Sequence, residues 1–305
     1  MKLMTHNGYF HVDDVLSTVI LKDIYPGAEV IRTRDLNKMK EADIIYDIGF
    51  SYNPDKFIFD HHQKDKPLRQ NGMPYSSVGL IWKHFGIKYL FKKGVTPDYI
   101  NSLWKAIDDD LIYAVDLADN GVEKSEGHNL GHIINIMNQS WDENKDENTF
   151  FFDSVDFFNK YFSRYVDSTF SILKARKEIV NILNNRDNLE YAIFDKALPW
   201  KDIIFKEKNN IKNFDDLLYM IEPYGDSGNW VSYAVPVEEY SYETRMRFPE
   251  EWGGKSEKEL YEFTNVDDAN FCHSAGFILG AKSCKGVINM VEKSIEQNQK
   301  NKMTL

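Results

Sequence analysis

Histidine and aspartate crowd three short segments near the start of the chain: His6-Asn-Gly-Tyr-Phe-His11-Val-Asp13-Asp14, then Asp47, then Asp60-His61-His62. Four of the eight histidines fall within the first 62 residues, so the clustering asks for a reason. Imidazole nitrogen and carboxylate oxygen together suit Mn, Zn or Fe, and a carboxylate-rich set also admits Mg. These segments hold more such groups than one ion requires. Two cations sharing a carboxylate, the arrangement used for in-line displacement at phosphorus, is the chemistry they fit. Asp13 and Asp47 are the candidates to be shared. Each residue alone has a plainer explanation: Asp13 or Asp14 can cap a helix, and Asp60 can hold a turn.

Position decides between the two readings. Residues 3–6 read as a strand, and residues 12–25 as a helix ended by Pro26-Gly27. Residues 29–32 read as a second strand. Asp43-Ile-Ile-Tyr-Asp-Ile48 is a third, apolar on both faces and therefore internal. Residues 56–59 form a fourth, and helical spacing covers residues 76–85 and 100–118. Short apolar runs alternating with helices predict an α/β fold with a parallel sheet and flanking helices. Each His/Asp segment then follows a strand, and the carboxyl ends of strands line the ligand crevice of such sheets. Three segments converging on one edge favour a site. A fourth, Asp116-Leu-Ala-Asp119-Asn-Gly121, sets two aspartates three apart on one helical face. Either Asp116 or Asp119 completes a second metal shell, and the Asn-Gly pair ends the helix.

Residues 148–185 are charged, aromatic and helical in spacing, with no Pro or Gly. The expected organisation is an α/β catalytic domain over residues 1–145, a helical connector over 146–187, and a smaller α+β substrate-binding domain over 188–305. The net charge of −11 disfavours non-specific attraction to nucleic acid. It does not exclude nucleic-acid chemistry, because bound cations reverse the sign locally. Two cysteines, Cys272 and Cys284, suffice for neither a disulfide framework nor a structural zinc site. No Gly-x-Ser-x-Gly elbow or Gly-rich nucleotide loop occurs. With no apolar run of membrane-spanning length and no signal-like N-terminus, the expected location is cytoplasmic.

Further motifs sit in order behind the triplet. They are Ser76-Ser-Val-Gly-Leu-Ile-Trp-Lys-His-Phe-Gly86, Leu198-Pro-Trp-Lys201, Gly228-Asn-Trp230, Phe248-Pro249 with Trp252, and Phe271-Cys-His-Ser-Ala-Gly-Phe277. With them the chain resembles the MYG exonuclease family (melanocyte-proliferating-gene-like proteins), a branch of the DHH phosphoesterase superfamily, from residue 3 to about residue 290. The resemblance implies a DHH-type catalytic domain, a smaller C-terminal domain, and two divalent cations, Mn2+ or Mg2+. It implies a phosphodiester hydrolase, a 3′–5′ exonuclease on RNA or short oligonucleotides. By position, His6, His11, Asp13, Asp47, Asp60 and His61 match metal ligands, with Asp116 or Asp119 as the last. Asp60, His61 and His62 carry the catalytic role, and His62 orients or protonates groups near the phosphate. The phosphate also needs cations. His273, Lys282, Arg245, Arg247 and Lys201 in the C-terminal half are the candidates, and Tyr224, Trp230 or Trp252 the candidates for stacking on a base. Two rival readings are a phosphoesterase acting on a cyclic dinucleotide or pyrophosphate, and a non-catalytic metal-dependent binding or regulatory protein on this fold.

Overall fold

A computed structural model describes residues 1–122 and 129–303. The chain divides into two compact units, Met1–Leu173 and Lys174–Leu305, each considered by itself below. The first is built on five strands: β1 (Lys2–Thr5), β2 (Glu29–Arg32), β3 (Ile44–Tyr46), β4 (Tyr52–Asn53) and β5 (Ile58–Phe59). Their order is β2-β1-β3-β5-β4. Strand β1 runs parallel to β2 and β3, and β3 runs parallel to β5. The fifth strand, β4, closes the edge antiparallel to β5. An antiparallel edge on a parallel sheet is common, and two residues are too few to leave a periodic signal.

The expected helices form with altered limits. They are α1 (Val12–Ile24), α2 (Ser77–Lys92), α3 (Pro97–Ile107), α4 (Tyr113–Asp119) and α6 (Glu147–Asn184), joined by α5 (Leu130–Met137), which was not expected. Helix α1 is buried on all sides from Val12 to Leu21, with Val15, Leu16, Val19 and Ile20 in the core. The single helix expected over residues 100–118 is three pieces, because a π-helical turn at Asp108–Ile112 separates α3 from α4. Such a turn accommodates an extra residue and so resets which side of α4 faces inward. Helix α6 was expected to be a connector. The division into units falls inside it, and Phe151, Val155, Phe158, Phe162 and Val166 are core residues of the first unit.

The Ser76–Gly86 motif is a set of close contacts. Ser76 caps α2 through Oγ, which accepts from Gly79 N at 3.3 Å. Gly79 makes room for a buried carboxylate: a Cβ there would collide with Asp116 and lie 2.9 Å from Tyr75 Cδ1. Gly86 likewise admits Trp104, whose Nε1 would be 2.7 Å from an added Cβ. Trp82 and Trp104 each donate from the indole to the other's carbonyl, at 3.2 and 3.1 Å, which locks α2 to α3. Gly79→Ala is therefore expected to destabilise the protein by about 1–3 kcal/mol, the usual cost of overpacking. An unchanged urea midpoint would remove this account of the glycine.

The second unit is α+β, as expected. Strands β6 (Tyr191–Ile193), β7 (Tyr219–Pro223), β8 (Trp230–Ala234), β9 (Ala269–Cys272) and β10 (Ile278–Ala281) form one sheet in the order β6-β7-β8-β10-β9. Only the β6–β7 pair is parallel. Helices α7 (Glu257–Thr264) and α8 (Cys284–Met303) complete the unit. Val287, Met290 and Val291 of α8 join Tyr219, Ile221 and Leu279 of the sheet in one core. No helix among the described residues is long and apolar enough to cross a membrane.

Candidate metal centre

Strand β1 lies between β2 and β3, so successive connections leave it in opposite directions. That is a topological switch point, where open α/β sheets bind ligands at the strands' carboxyl ends. His6 follows β1, Asp47 follows β3 and Asp60-His61-His62 follows β5. Asp47 adopts a left-handed conformation with φ of +55°, in a tight turn whose Gly49 and Phe50 also have positive φ. Aspartate is among the few non-glycine residues that tolerate it.

Asp47 stands at the middle of the site. Its Oδ2 lies 3.1 Å from His6 Nε2, and its Oδ1 lies 3.5 Å from His61 Nε2 and 3.6 Å from His62 Nδ1. One carboxylate thus faces two groups. On one side His6 Nε2 is also 3.3 Å from Asp14 Oδ2. On the other, His61 Nε2 is 3.1 Å from Asp119 Oδ2 and 3.8 Å from Asp13 Oδ2. His11, Asp13 and Asp119 also present ligand atoms within 4.8 Å of one another. Ser77, the second residue of the α2 motif, donates from Oγ to Asp47 Oδ1 at 3.1 Å.

Burial and charge here conflict without a cation. Asp13 is 1% exposed, and neither of its carboxylate oxygens has a hydrogen-bond partner. Asp14 Oδ2 and both ring nitrogens of His61 are buried and unpartnered too. Unpaired buried carboxylates are costly and are found paired or on metals. Burial, then the charges of Asp119, Asp47 and Asp14, hold the Asp13 carboxyl well above the usual range. Burial chiefly raises Asp14 to about 7, and also raises Asp119. Burial works the same way on Asp47, but the neighbouring imidazoles of His6 and His61 outweigh it and keep that carboxyl below the usual range. The donor set fits divalent cations, which His6, Asp14 and Asp47 would hold on one side and His11, Asp13 and Asp119, with His61 beside them, on the other.

Two expected ligands are engaged elsewhere. Asp60 Oδ1 accepts from His61 N at 2.7 Å, His62 N at 3.2 Å and His62 Nδ1 at 2.8 Å, while Oδ2 accepts from Phe50 N at 2.5 Å. Both oxygens hold the turn and aim His62, so Asp60 is not brought to the cluster as a ligand. Asp116 is also absent from it. Its Oδ1 accepts from Ser76 N and Oγ at 2.8 and 2.6 Å, and its Oδ2 from Arg69 Nε at 2.5 Å. Arg69 in turn grips both oxygens of Asp108, in the π-helical turn. Of the two aspartates on α4, Asp119 faces the histidines.

The loop carrying His6 and His11 is clamped from distant parts of the sequence. Asn138, just past α5, accepts from Phe10 N at 3.0 Å and donates to Phe10 O at 2.9 Å. Arg32 donates to Gly8 O at 2.7 Å and stacks over Phe151, and Glu147 accepts from Gly8 N at 3.0 Å. Sequence reading missed all three, since partners 24, 128 and 139 residues apart leave no local pattern. It also missed Asp14 as a site residue. Its Oδ1 has the expected capping role, accepting from His11 N at 2.9 Å. Its other oxygen faces His6.

The expected phosphate-binding cations lie in the second unit. Arg245 is bound up structurally, donating to Phe214 O and to Leu217 O at 3.0 Å with its guanidinium over the Phe214 ring. Lys201 Nζ sits 4.2 Å over Tyr233. Arg247 is exposed and lines a cavity of about 680 Å³ with Ser274 and Gly276. Lys282 is exposed. His273 is exposed in the β9–β10 turn, accepting from Ala275 N at 3.1 Å with its ring 4.4 Å from Phe277. Of the aromatic candidates, Trp252 is a core residue at 1% exposure and Tyr224 is half exposed.

Residues 2–295 match the family MYG1_exonuc, described as Uncharacterised protein family (UPF0160). The chain belongs to the MYG1 family. It is 31% identical to a MYG1 protein of Dictyostelium discoideum, over 98% of both chains. It is 28% identical to MYG1 exonuclease of Mus musculus, over 97% of this chain and 85% of that one, and likewise 28% identical to MYG1 exonuclease of Homo sapiens, over 97% and 86%. Among solved structures, a pGpG-specific phosphodiesterase from Vibrio cholerae aligns over 97% of this chain and 98% of its own. The identity is 12% and the TM-score 0.33, too low to indicate a common fold. Within this MYG1-family chain, the motifs of the first unit have distinct jobs: the His6–Asp14 and Asp60–His62 segments build the cluster, while Ser76–Gly86 and Asp116 hold it in place.

Proposed function

We propose that this MYG1-family chain is a metal-dependent phosphodiester hydrolase of the DHH type. On this reading it is a 3′–5′ exonuclease on RNA or short oligonucleotides, using two Mn2+ or Mg2+ ions. The observation that carries it is Asp47, buried, with each carboxylate oxygen turned toward a different His/Asp group. The exonuclease names of the mouse and human relatives support the reaction class. The net charge of −11 favours short substrates over long polymers, and a cytoplasmic location goes with the reading.

When bound, two divalent cations supply Lewis acidity at the phosphate and acidify a water between them. The chain's own residues do the rest. His6 and Asp14 would hold one side of the site, His11, Asp13, His61 and Asp119 the other, and Asp47 between them would fix the spacing. His62 stands half exposed at the mouth, its Nδ1 held by Asp60. That hydrogen bond, against the effect of burial, raises its pKa. A proton on Nε2 is thereby available to a leaving oxygen near neutral pH, the ordinary requirement for a general acid.

The test uses purified protein with Mn2+ or Mg2+ on single-stranded RNA, single-stranded DNA and bis-p-nitrophenyl phosphate. Metal-dependent release of nucleotide from the RNA 3′ end, abolished by EDTA, is expected. Protein that demonstrably binds Mn2+ yet hydrolyses none of the three returns the chain to the class of binding proteins.

A further inference from the structure

The cleft over the cluster, about 520 Å³, is lined wholly by residues of the first unit, and Arg34 and Phe50 are among those that take no part in the metal groups. Arg34 stands on the loop after β2. Its Nη2 is 3.3 Å from His6 Nδ1, and among the described residues its guanidinium meets no carboxylate. Once His6 Nε2 ligates a cation, Nδ1 carries the ring proton and donates it to Asn7 O, which lies 3.1 Å away. Arg34 then faces a donor and must find an anion elsewhere. The cleft is where one would sit, and a guanidinium fork suits phosphate oxygens.

Phe50 lies beyond Asp47 on the other side. It has a left-handed backbone with φ of +52°, unusual for a bulky residue. Its side chain is 66% exposed, with the ring centroid 6.4 Å from that of His62. The fold does not require a phenyl ring there. The bond to Asp60 uses the Phe50 backbone N–H, which any residue but proline supplies, and Asn or Gly would adopt this conformation with less strain. Strained, exposed residues of this kind cluster at ligand sites. An aromatic ring at the wall of a phosphate cleft is suited to stacking on a base.

We infer that Arg34 and Phe50 form a nucleotide-recognition pair within the first unit. Arg34 takes a non-bridging phosphate oxygen on the His6 side of Asp47, and Phe50 stacks on the base of the nucleotide on the His62 side. The inference rests on the phosphodiesterase reading and narrows it: the substrate is a nucleoside phosphodiester, not pyrophosphate or a base-free ester. It also places recognition on different residues from the C-terminal cations expected from the sequence.

The test compares the full chain with Arg34→Ala, Phe50→Leu and Phe50→Trp, in Mn2+, on the RNA dinucleotide ApA and on ApA analogues made abasic at one or the other nucleoside. Phe50→Leu is expected to raise KM for ApA roughly 10- to 100-fold, the scale of one lost base stack. It should leave kcat within about twofold, have no effect on the analogue lacking the stacked base, and be rescued by Phe50→Trp. Arg34→Ala should lower kcat/KM on all substrates by about tenfold or more. Mn2+ titration should be unchanged in every variant. Equal effects of Phe50→Leu on all substrates, wild-type behaviour of either loss variant, or loss of Mn2+ binding in Arg34→Ala overturns the pair. If wild-type protein hydrolyses no substrate, the phosphodiesterase reading falls, and a 2-aminopurine dinucleotide decides the pair alone. Quenching by wild-type protein that is lost in Phe50→Leu supports it; no quenching by wild-type protein ends it.

Discussion

Asp47→Asn is expected to lower phosphodiester hydrolysis by about a thousandfold or more and to reduce bound Mn2+ from two ions to one or none. The scale is at least that of removing a single group that stabilises the transition state. The substitution suits the question because asparagine tolerates the left-handed backbone at this position, where φ is +55°. The turn into Phe50 should survive, and so should the hydrogen bond from Ser77. What goes is the negative charge shared by the His6 side and the His61 side of the cluster. His61→Ala removes a residue of one side alone and is expected to leave one ion bound. Titration of metal-stripped protein with Mn2+, followed by assay, separates the two variants. If Asp47→Asn still binds two ions at wild-type affinity, the bridging role is wrong.

The second large effect concerns protein stripped of divalent cations. Its stability is expected to fall as pH rises from about 4 to 7, and saturating Mn2+ should abolish most of that fall. Asp14 has its carboxyl raised from 3.8 to about 7, and Asp13 and Asp119 are raised as well. In that window the unfolded chain has released protons that the folded chain keeps, so raising the pH favours unfolding. Asp14 alone corresponds to a loss on the order of 4 kcal/mol, a large part of the stability of an ordinary domain. His6 and His62, both raised above 6.5, act in the same direction: their stabilisation is complete below the unfolded value and is lost as pH climbs through the folded one. Asp47 acts oppositely, but its contribution is already complete above its unfolded value and disappears only in acid. Bound cations reverse the balance by favouring the deprotonated carboxylates. Urea midpoints at pH 5 and pH 7.5, with EDTA and with Mn2+, measure the effect. A midpoint in EDTA that is flat or rises with pH contradicts it.

The cluster was partly legible because its chemistry is written in short segments. His6, His11, Asp13, Asp47 and His61 each follow a strand whose apolar run can be seen in isolation, and the α/β class follows from the alternation of those runs with helices. The choice between Asp116 and Asp119 could not be read. They lie one helical turn apart, and what separates them is Arg69, held by Asp108 in a π-helical turn that takes Asp116 away from the metal side. Asp60 was misassigned for a related reason. A carboxylate beside two histidines looks like a ligand until the backbone shows three N–H groups, from Phe50, His61 and His62, already occupying it. Arg34 and Phe50 carry no signal at all, since a lone arginine and a lone phenylalanine in loops are ordinary until the sheet sets them on either side of Asp47.

The sequence by itself determined the family, the fold class and the kind of atoms at the site, because motif spacing and hydrophobic period are properties of neighbouring residues. Only the tertiary structure decided which carboxylates face the cluster, which merely hold it, and what else lines the cleft. Those outcomes depend on partners such as Asn138 with Phe10 or Arg69 with Asp116, separated by 128 and 47 positions in the chain, and no local pattern records a contact that forms only when the chain folds.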